Sequence, residues 1–333
     1  MSLIGHDAAV EAFREAIGGG RLHHAWLVAG PQGIGKARFA EAAALRYLAE
    51  GIGPVEAPGL DLPDDHPTVR YVAAGSHPDY RRLERLYREK TGDQARGVTV
   101  DQVRGLQTLF ATTPSFSTRR AVVIDAIDDL ERSGANALLK NLEEPPTDTL
   151  FLLVSHAPGR LLPTIRSRCR TLRLGLLGEA HMQAIIRRER PEADDAEIAA
   201  LVGVGGGAPG QALRFAGLDI AGLDAAIDAI ARGGDPTNAG RSALAKSLAL
   251  KSAQPRYEAF LERAPARIAA AARTAPVADL AAILPLEAQA RSLAGSALRL
   301  SLDPQATVFG LGGLLAALAP ITGDAKPGST RRR

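Results

Sequence analysis

The 333-residue chain is long enough for a sizeable core and for two or three domains. Its 40 Lys and Arg against 37 Asp and Glu leave a formal charge of only +3, and Lys326, Arg331, Arg332 and Arg333 of the closing stretch KPGSTRRR supply more than that excess. Composition therefore lends little support to direct nucleic-acid binding, and the single cysteine, Cys169, excludes a disulfide framework or a multi-cysteine zinc site.

In chain order, the opening MSLIGHDAAVEAF lacks the basic start, apolar run and cleavage site of a signal peptide. A helix is predicted over residues 6 to 18, then the basic turn GRLHH and the apolar strand AWLVAG. A helix follows from Lys36 to near Gly51, and GPVEAPGLDLPDDHP has the Pro, Gly and Asp content of a loop. HPDYRRLERLYRE reads as partly helical, and VTVDQVRGLQTLF as a short strand turning into a helix that Asp101 caps. The strand RRAVVIDAID leads to a helix from about Gly134 to Glu144, which Pro145 and Pro146 end. TLFLLVSHAP is a third apolar strand, and GRLLPTIRSRCRTLRL ends in a fourth. Strands apolar throughout and separated by helices imply a mostly parallel sheet covered on both faces.

The first 172 residues thus read as an α/β nucleotide-binding domain. Residues 173 to 218 read as a small helical domain broken at GVGGGAPG, and the Ala- and Leu-rich residues 219 to 323 as a helical bundle. The apolar run VFGLGGLLAALAP is too short and glycine-rich to span a bilayer. Residues 324 to 333 read as a basic, disordered tail, and the whole as a soluble cytoplasmic protein with no membrane segment.

Gly30, Gly33, Gly35 and Lys36 form a phosphate loop between an apolar strand and a helix. In such a loop the glycines turn backbone amides toward phosphates, the lysine neutralises them, and a hydroxyl at the next position ligates magnesium. That next residue is Ala37. Asp125 ends an apolar strand where a water-mediated metal contact is expected, although alone it reads as an ordinary strand-end acid. It is followed by Ala126, so no adjacent glutamate activates the attacking water. Asp128, three residues on, should point elsewhere. Two gaps on one chemical step should cost several orders of magnitude in rate, each ~1.4 kcal/mol being tenfold. Hydrolysis is not expected, while weak ATP or ADP binding stays open and no cofactor is required.

ANALLKNLEEPP and LLPTIRSRC, with the phosphate loop and SHPDYRRL, resemble the clamp-loader branch of the AAA+ ATPases, and within it the bacterial DNA polymerase III delta prime group. The resemblance covers most of the first domain. It implies an AAA+ fold with a helical lid and an all-helical collar, and a place in the DNA polymerase III holoenzyme beside gamma/tau and delta subunits. Sliding clamp and primer-template DNA would be met through the complex. It further implies that Ser155 stands at the first sensor of the γ phosphate and that Arg168 is an arginine presented to a neighbour's ATP. By residue type alone, PTIRSRCR is a solvated basic patch, with Arg166 and Arg170 as supporting charges. The second-sensor arginine falls at Gly210 and is missing, with Arg214 a turn away. Departures at Ala37, Ala126 and Gly210 match delta prime better than gamma/tau, though an active gamma/tau-like ATPase is the alternative. Many relatives insert a four-cysteine zinc module after the first ATPase-domain helix; this chain has no cysteine there, so no zinc is expected. His23 and His24 either touch adenine or pack at the strand entrance, and Cys169 reads as a small packing residue.

Overall fold

The computed structural model describes residues 3–20, 22–88, 93–95 and 97–322. The predicted tail lies outside them. Contacts divide the chain into two compact units, Met1–Arg214 and Phe215–Arg333. The three-domain partition expected from sequence is finer than this division.

The first unit is built on five strands in the order β2-β5-β6-β1-β7: β1 (Ala25–Ala29), β2 (Tyr80–Glu84), β5 (Arg120–Asp125), β6 (Thr149–Ser155) and β7 (Arg170–Arg173). All neighbouring pairs are parallel, with Leu27 opposite Leu153, and Ile124 opposite Leu153 on the other side. β1 and β6 are buried at every position, because helices cover both faces of a parallel sheet and leave no side for polar residues. Successive side chains go to opposite faces. Trp26 and Val28 join a core with Phe13, Phe39 and Leu48, whereas Leu27 joins one with Ile124, Leu138 and Phe151. Phe13 packs edge-on against both Trp26, at 5.2 Å, and Phe39, at 6.2 Å.

The helices of this unit are α1 (Asp7–Gly18), α2 (Lys36–Glu50), α3 (Pro67–Ala73), α4 (Val100–Arg104), α5 (Leu106–Phe110), α6 (Arg132–Glu143), α7 (Pro163–Arg166), α8 (Glu179–Glu189), α9 (Asp195–Gly205) and α10 (Pro209–Arg214). A two-stranded antiparallel pair, β3 (Tyr87–Arg88) with β4 (Asp93–Gln94), stands apart from the main sheet. Three local expectations change. The stretch predicted as partly helical, HPDYRRLERLYRE, supplies edge strand β2 and then β3, since pairing with β5 outweighs the helix propensity of its Arg, Leu and Glu. The cap of α4 is Thr99, not Asp101: Thr99 and Gln102 bond reciprocally in a capping box. α3 starts on Pro67, the last residue of the predicted loop, where no helix was expected. At the entrance to β2, buried Asp79 accepts the backbone N–H groups of Ser115, Phe116 and Ser117 at 2.9, 2.8 and 2.8 Å.

The second unit is helical: α11 (Ile220–Gly233), α12 (Ala239–Leu248), α13 (Gln254–Thr274), α14 (Val277–Ala297), α15 (Pro304–Ala316) and α16 (Ala319–Thr322). Apolar α15 packs on α11, α12, α13 and α14, burying Val308, Leu311 and Leu315. A row of ion pairs ties α13 to α11 and the residue that caps it: Arg256 to Asp219 at 2.9 Å, Arg263 to Asp224, and Arg267 to Asp228 at 2.6 Å. Val277, Leu284 and Leu298 of the α14 region stay exposed. Among the described residues no helix is long and apolar enough to cross a membrane.

Candidate functional site

The parallel strands end along one edge of the sheet, which brings Gly30 after β1, Asp125 at the end of β5 and Ser155 at the end of β6 to the same side of the first unit. This is where open α/β sheets bind ligands. Between β1 and α2 the loop 30–35 turns on Gly33 at φ 81° and Gly35 at φ 98°, left-handed values that favour glycine. Gly35 also caps α2 at its N-terminus.

Lys36, the first residue of α2, is buried, and its ammonium folds back to donate to the carbonyls of Gly30 at 2.9 Å and Pro31 at 2.5 Å. Burial pushes its pKa down to about 8, against the opposing pull of Asp128 and Asp125. The amine that would neutralise phosphates is thus engaged by the loop itself.

The carboxylates are engaged as well. Asp125 accepts from Arg82 Nη2 at 2.8 Å, and the same guanidinium reaches Glu41 at 3.2 Å and Glu84 at 2.9 Å. Asp128 does point elsewhere: it accepts Ser155 Oγ at 2.9 Å and the backbone N–H groups of His156 at 2.6 Å and Ala157 at 3.2 Å. Asp128 is therefore a strap between the ends of β5 and β6. Ser155 is fully buried and turned toward that strap, whereas its neighbours Val154 and His156 face the cavity described next. Burial, then the nearby Lys36, lowers the pKa of His156.

A cavity of about 520 Å³ is lined by the phosphate loop, α2, α3 and the loop before it, α8 and α10. Its lining combines apolar Leu45, Leu60, Leu62, Val69 and Ile185 with Lys36, Asp125 and His156. Gly210 sits directly on the loop, its N–H donating to Gly33 O at 2.7 Å. A Cβ on Gly33 would stand 2.9 Å from Gln211 N, and one on Gly210 would stand 2.9 Å from Gly33 Cα. Backbone meets backbone here, and the close approach leaves no room for the side chain that a second sensor requires.

Arg168 lies elsewhere in the unit, after α7. It is half-buried rather than freely exposed, and donates to Glu143 at 2.8 Å and to the Thr164 carbonyl at 2.8 Å. Arg166 and Arg170 are exposed, and Arg170 lies over the Trp26 ring, 4.8 Å from its centre. His23 and His24 stack on each other at 4.5 Å, and bond to the carbonyls of Ala25 and Leu142. They stand at the start of β1, a strand's length from the phosphate loop at its end. These are packing contacts at the strand entrance, and neither histidine lines the cavity. Cys169 is packed beside a core cluster, and burial pushes its thiol up to about 12.

The loop implies a nucleotide, and the residues present fit only part of one. The apolar part of the cavity lining suits a base, and Lys36 and the loop amides are retained. A magnesium-bound triphosphate does not fit: Ala37 offers no hydroxyl, Arg82 holds Asp125, and Gly210 covers Gly33. Among the described residues no cluster of His, Cys, Asp or Glu is arranged to hold a metal ion. Sequence reasoning missed Arg82 and the contact of Gly210 with Gly33. The alternation of edge strand YRRLE was the signal for Arg82, because the residue two before its end faces the same side as that end.

A family model described as "DNA polymerase III, delta subunit" matches residues 5–177, just over half the chain. The chain belongs to this family. Among curated relatives of this DNA polymerase III subunit, delta' of Pseudomonas aeruginosa is 37% identical over 208 residues, covering 62% of this chain and 60% of that protein. The gamma/tau subunit of Mycobacterium tuberculosis is 30% identical over 255 residues, covering 69% and 42%. The chain spans about six tenths or less of the length of these relatives. A solved structure of a DNA polymerase III gamma subunit-related protein from Thermotoga maritima has a TM-score of 0.43 at 15% identity, covering 93% of this chain and 99% of the other. Delta' and gamma/tau proteins both stand among the relatives, so membership fixes the DNA polymerase III subunit group and not the individual subunit.

Proposed function

We propose that this subunit is of the delta prime type: a non-hydrolysing member of the DNA polymerase III clamp loader, assembled with gamma/tau and delta subunits. In that role it assists ATP-dependent loading of the sliding clamp onto primed DNA. Residues 219–323 supply the collar through which it assembles, 173–218 the lid, and Arg168 reaches the ATP of a neighbouring subunit.

The observation that carries this reading is the ion pair between Arg82 and Asp125 at 2.8 Å. A carboxylate bonded to a guanidinium is a poor metal ligand, since binding a cation there first requires displacing an existing one. Combined with Ala37, it removes both protein contacts on which magnesium would depend. Ala126 offers no base for water, and Asp128 is committed to three donors. Lys36, Gly30, Gly33 and Gly35 then keep the form of a phosphate loop without its chemistry, and Ser155 is tied into the strand ends.

Phosphate release by the isolated chain, purified free of partner ATPases and supplied with magnesium ATP, primed DNA and clamp, tests the reading. The expected result is no turnover above the buffer rate. Steady release that disappears in Lys36→Ala would replace it with an active gamma/tau-like ATPase.

A further inference from the structure

The cavity beside the phosphate loop keeps a ligand-sized volume although its phosphate end is spoken for. At about 520 Å³ it falls within the range of small-molecule sites, about 300–1,000 Å³. The cations lining it are committed within the protein: Lys36 donates to two loop carbonyls, and Arg38 and Arg188 both pair with Glu189, at 2.8 and 3.3 Å. An incoming polyphosphate would have to break these contacts. It would also approach Glu41 and Asp125, carboxylates of like charge at the cavity wall. No metal ligand is available to offset that repulsion. A sugar hydroxyl meets the same carboxylates as a donor and is accepted by them. The same lining holds Leu45, Leu60, Leu62 and Val69, apolar surface that a flat heterocycle covers with burial of apolar area.

We infer that this cavity binds an uncharged nucleoside in preference to its phosphorylated forms, reversing the ligand preference of a working phosphate loop. This rests on the reading of the chain as a subunit that does not hydrolyse ATP. The apolar wall is built for the purpose by two arginines. Buried Arg46 donates to the carbonyls of Val55, Ala57 and Asp61 at 3.1, 2.9 and 3.1 Å, and Arg14 to that of Gly59 at 2.8 Å, fixing the loop that presents Leu60 and Leu62.

Titration calorimetry on the full chain with adenosine, AMP, ADP and ATP, each with and without magnesium, tests this. Adenosine is expected to bind, affinity to fall with each phosphate, and ATP to be about tenfold or more weaker than adenosine, with magnesium making little difference. Ala42→Trp fills the cavity from α2, and is expected to abolish adenosine binding while leaving the melting temperature near that of the wild type. Tighter binding of magnesium ATP than of adenosine overturns the inference. So does undiminished adenosine binding in a folded Ala42→Trp protein, or no binding of any of the four. Phosphate release by the isolated chain would instead overturn the underlying reading, and that measurement is separate.

Discussion

Replacing Arg168 with alanine separates a trans-acting arginine from a structural one. In this chain the guanidinium makes two contacts, with the Glu143 carboxylate at 2.8 Å and the Thr164 carbonyl at 2.8 Å, and the paired side chains are 34% and 47% exposed. A solvent-accessible pair of this kind is worth about 0.2–1 kcal/mol. For a unit of some two hundred residues, 1 kcal/mol moves the melting temperature by about 2–4 °C, so Arg168→Ala should lower it by no more than about 4 °C and leave assembly intact. The functional effect should be far larger. An arginine placed where charge develops on a transferring phosphoryl group contributes about a thousandfold or more to turnover at the site it serves, and lysine does not replace its planar fork. The assay is reconstitution with wild-type gamma/tau and delta subunits, scoring assembly by gel filtration and clamp- and DNA-stimulated phosphate release on one sample. Arg166→Ala, an exposed neighbour, is the control and should stay near wild type. Wild-type turnover from an intact complex carrying Arg168→Ala would refute the trans-acting role, and a melting temperature lowered by tens of degrees would refute the energetic argument.

Asp79→Ala strands three backbone N–H groups that a buried carboxylate now satisfies, and should cost about 3–5 kcal/mol by urea denaturation; a loss under 1 kcal/mol would mean that the turn finds other acceptors. Gly33→Ala forces a Cβ to within 2.9 Å of Gln211 N at φ 81°, and should cost about 1–3 kcal/mol, with increased amide exchange at the start of α10. Lys36 gives a pH signature. Its folded pKa, about 8, lies below the unfolded value of about 10.4, so between those limits the unfolded chain binds the extra proton and stability rises with pH, by up to about 1.4 kcal/mol per unit. Lys36→Met, which keeps the stem and removes the charge, should therefore lose this rise, so that wild type gains stability relative to the variant as pH passes from 8 to 10; a difference independent of pH would show that Lys36 is not protonated on unfolding in this range.

The sheet was legible because the middles of its inner strands are runs of apolar residues, a pattern that two-sided burial imposes and that few alternatives share. Its edge was not. β2 carries Arg81, Arg82 and Glu84 among buried Tyr80 and Leu83, and so many long polar side chains read as a helix until pairing with β5 is known. The loop between α2 and α3 was legible as irregular, but its order was not, because that order comes from Arg46 and Arg14 reaching carbonyls 9 to 45 residues away. Phosphate-loop residues could be assigned one by one, since their roles follow local spacing. What occupies each of them could not.

That last difference matters for the proposed reading of the site as one that does not hydrolyse ATP. Ala37 and Ala126 are losses visible as missing groups, and a missing group can in principle be supplied by water or by a partner. Arg82, the strap at Asp128 and the contact of Gly210 with Gly33 are of another kind, because each fills a place that a ligand would need. Restoring a hydroxyl with Ala37→Thr would leave Asp125 paired, Lys36 on its loop carbonyls and Gly33 covered. A magnesium ion would still meet a guanidinium, and a triphosphate would still displace three sets of internal bonds. On the proposed non-hydrolysing reading, inactivity is therefore held by interactions made, not only by ligands absent, and neither Ala37→Thr nor a substitution at Ala126 alone is expected to give phosphate release by the isolated chain.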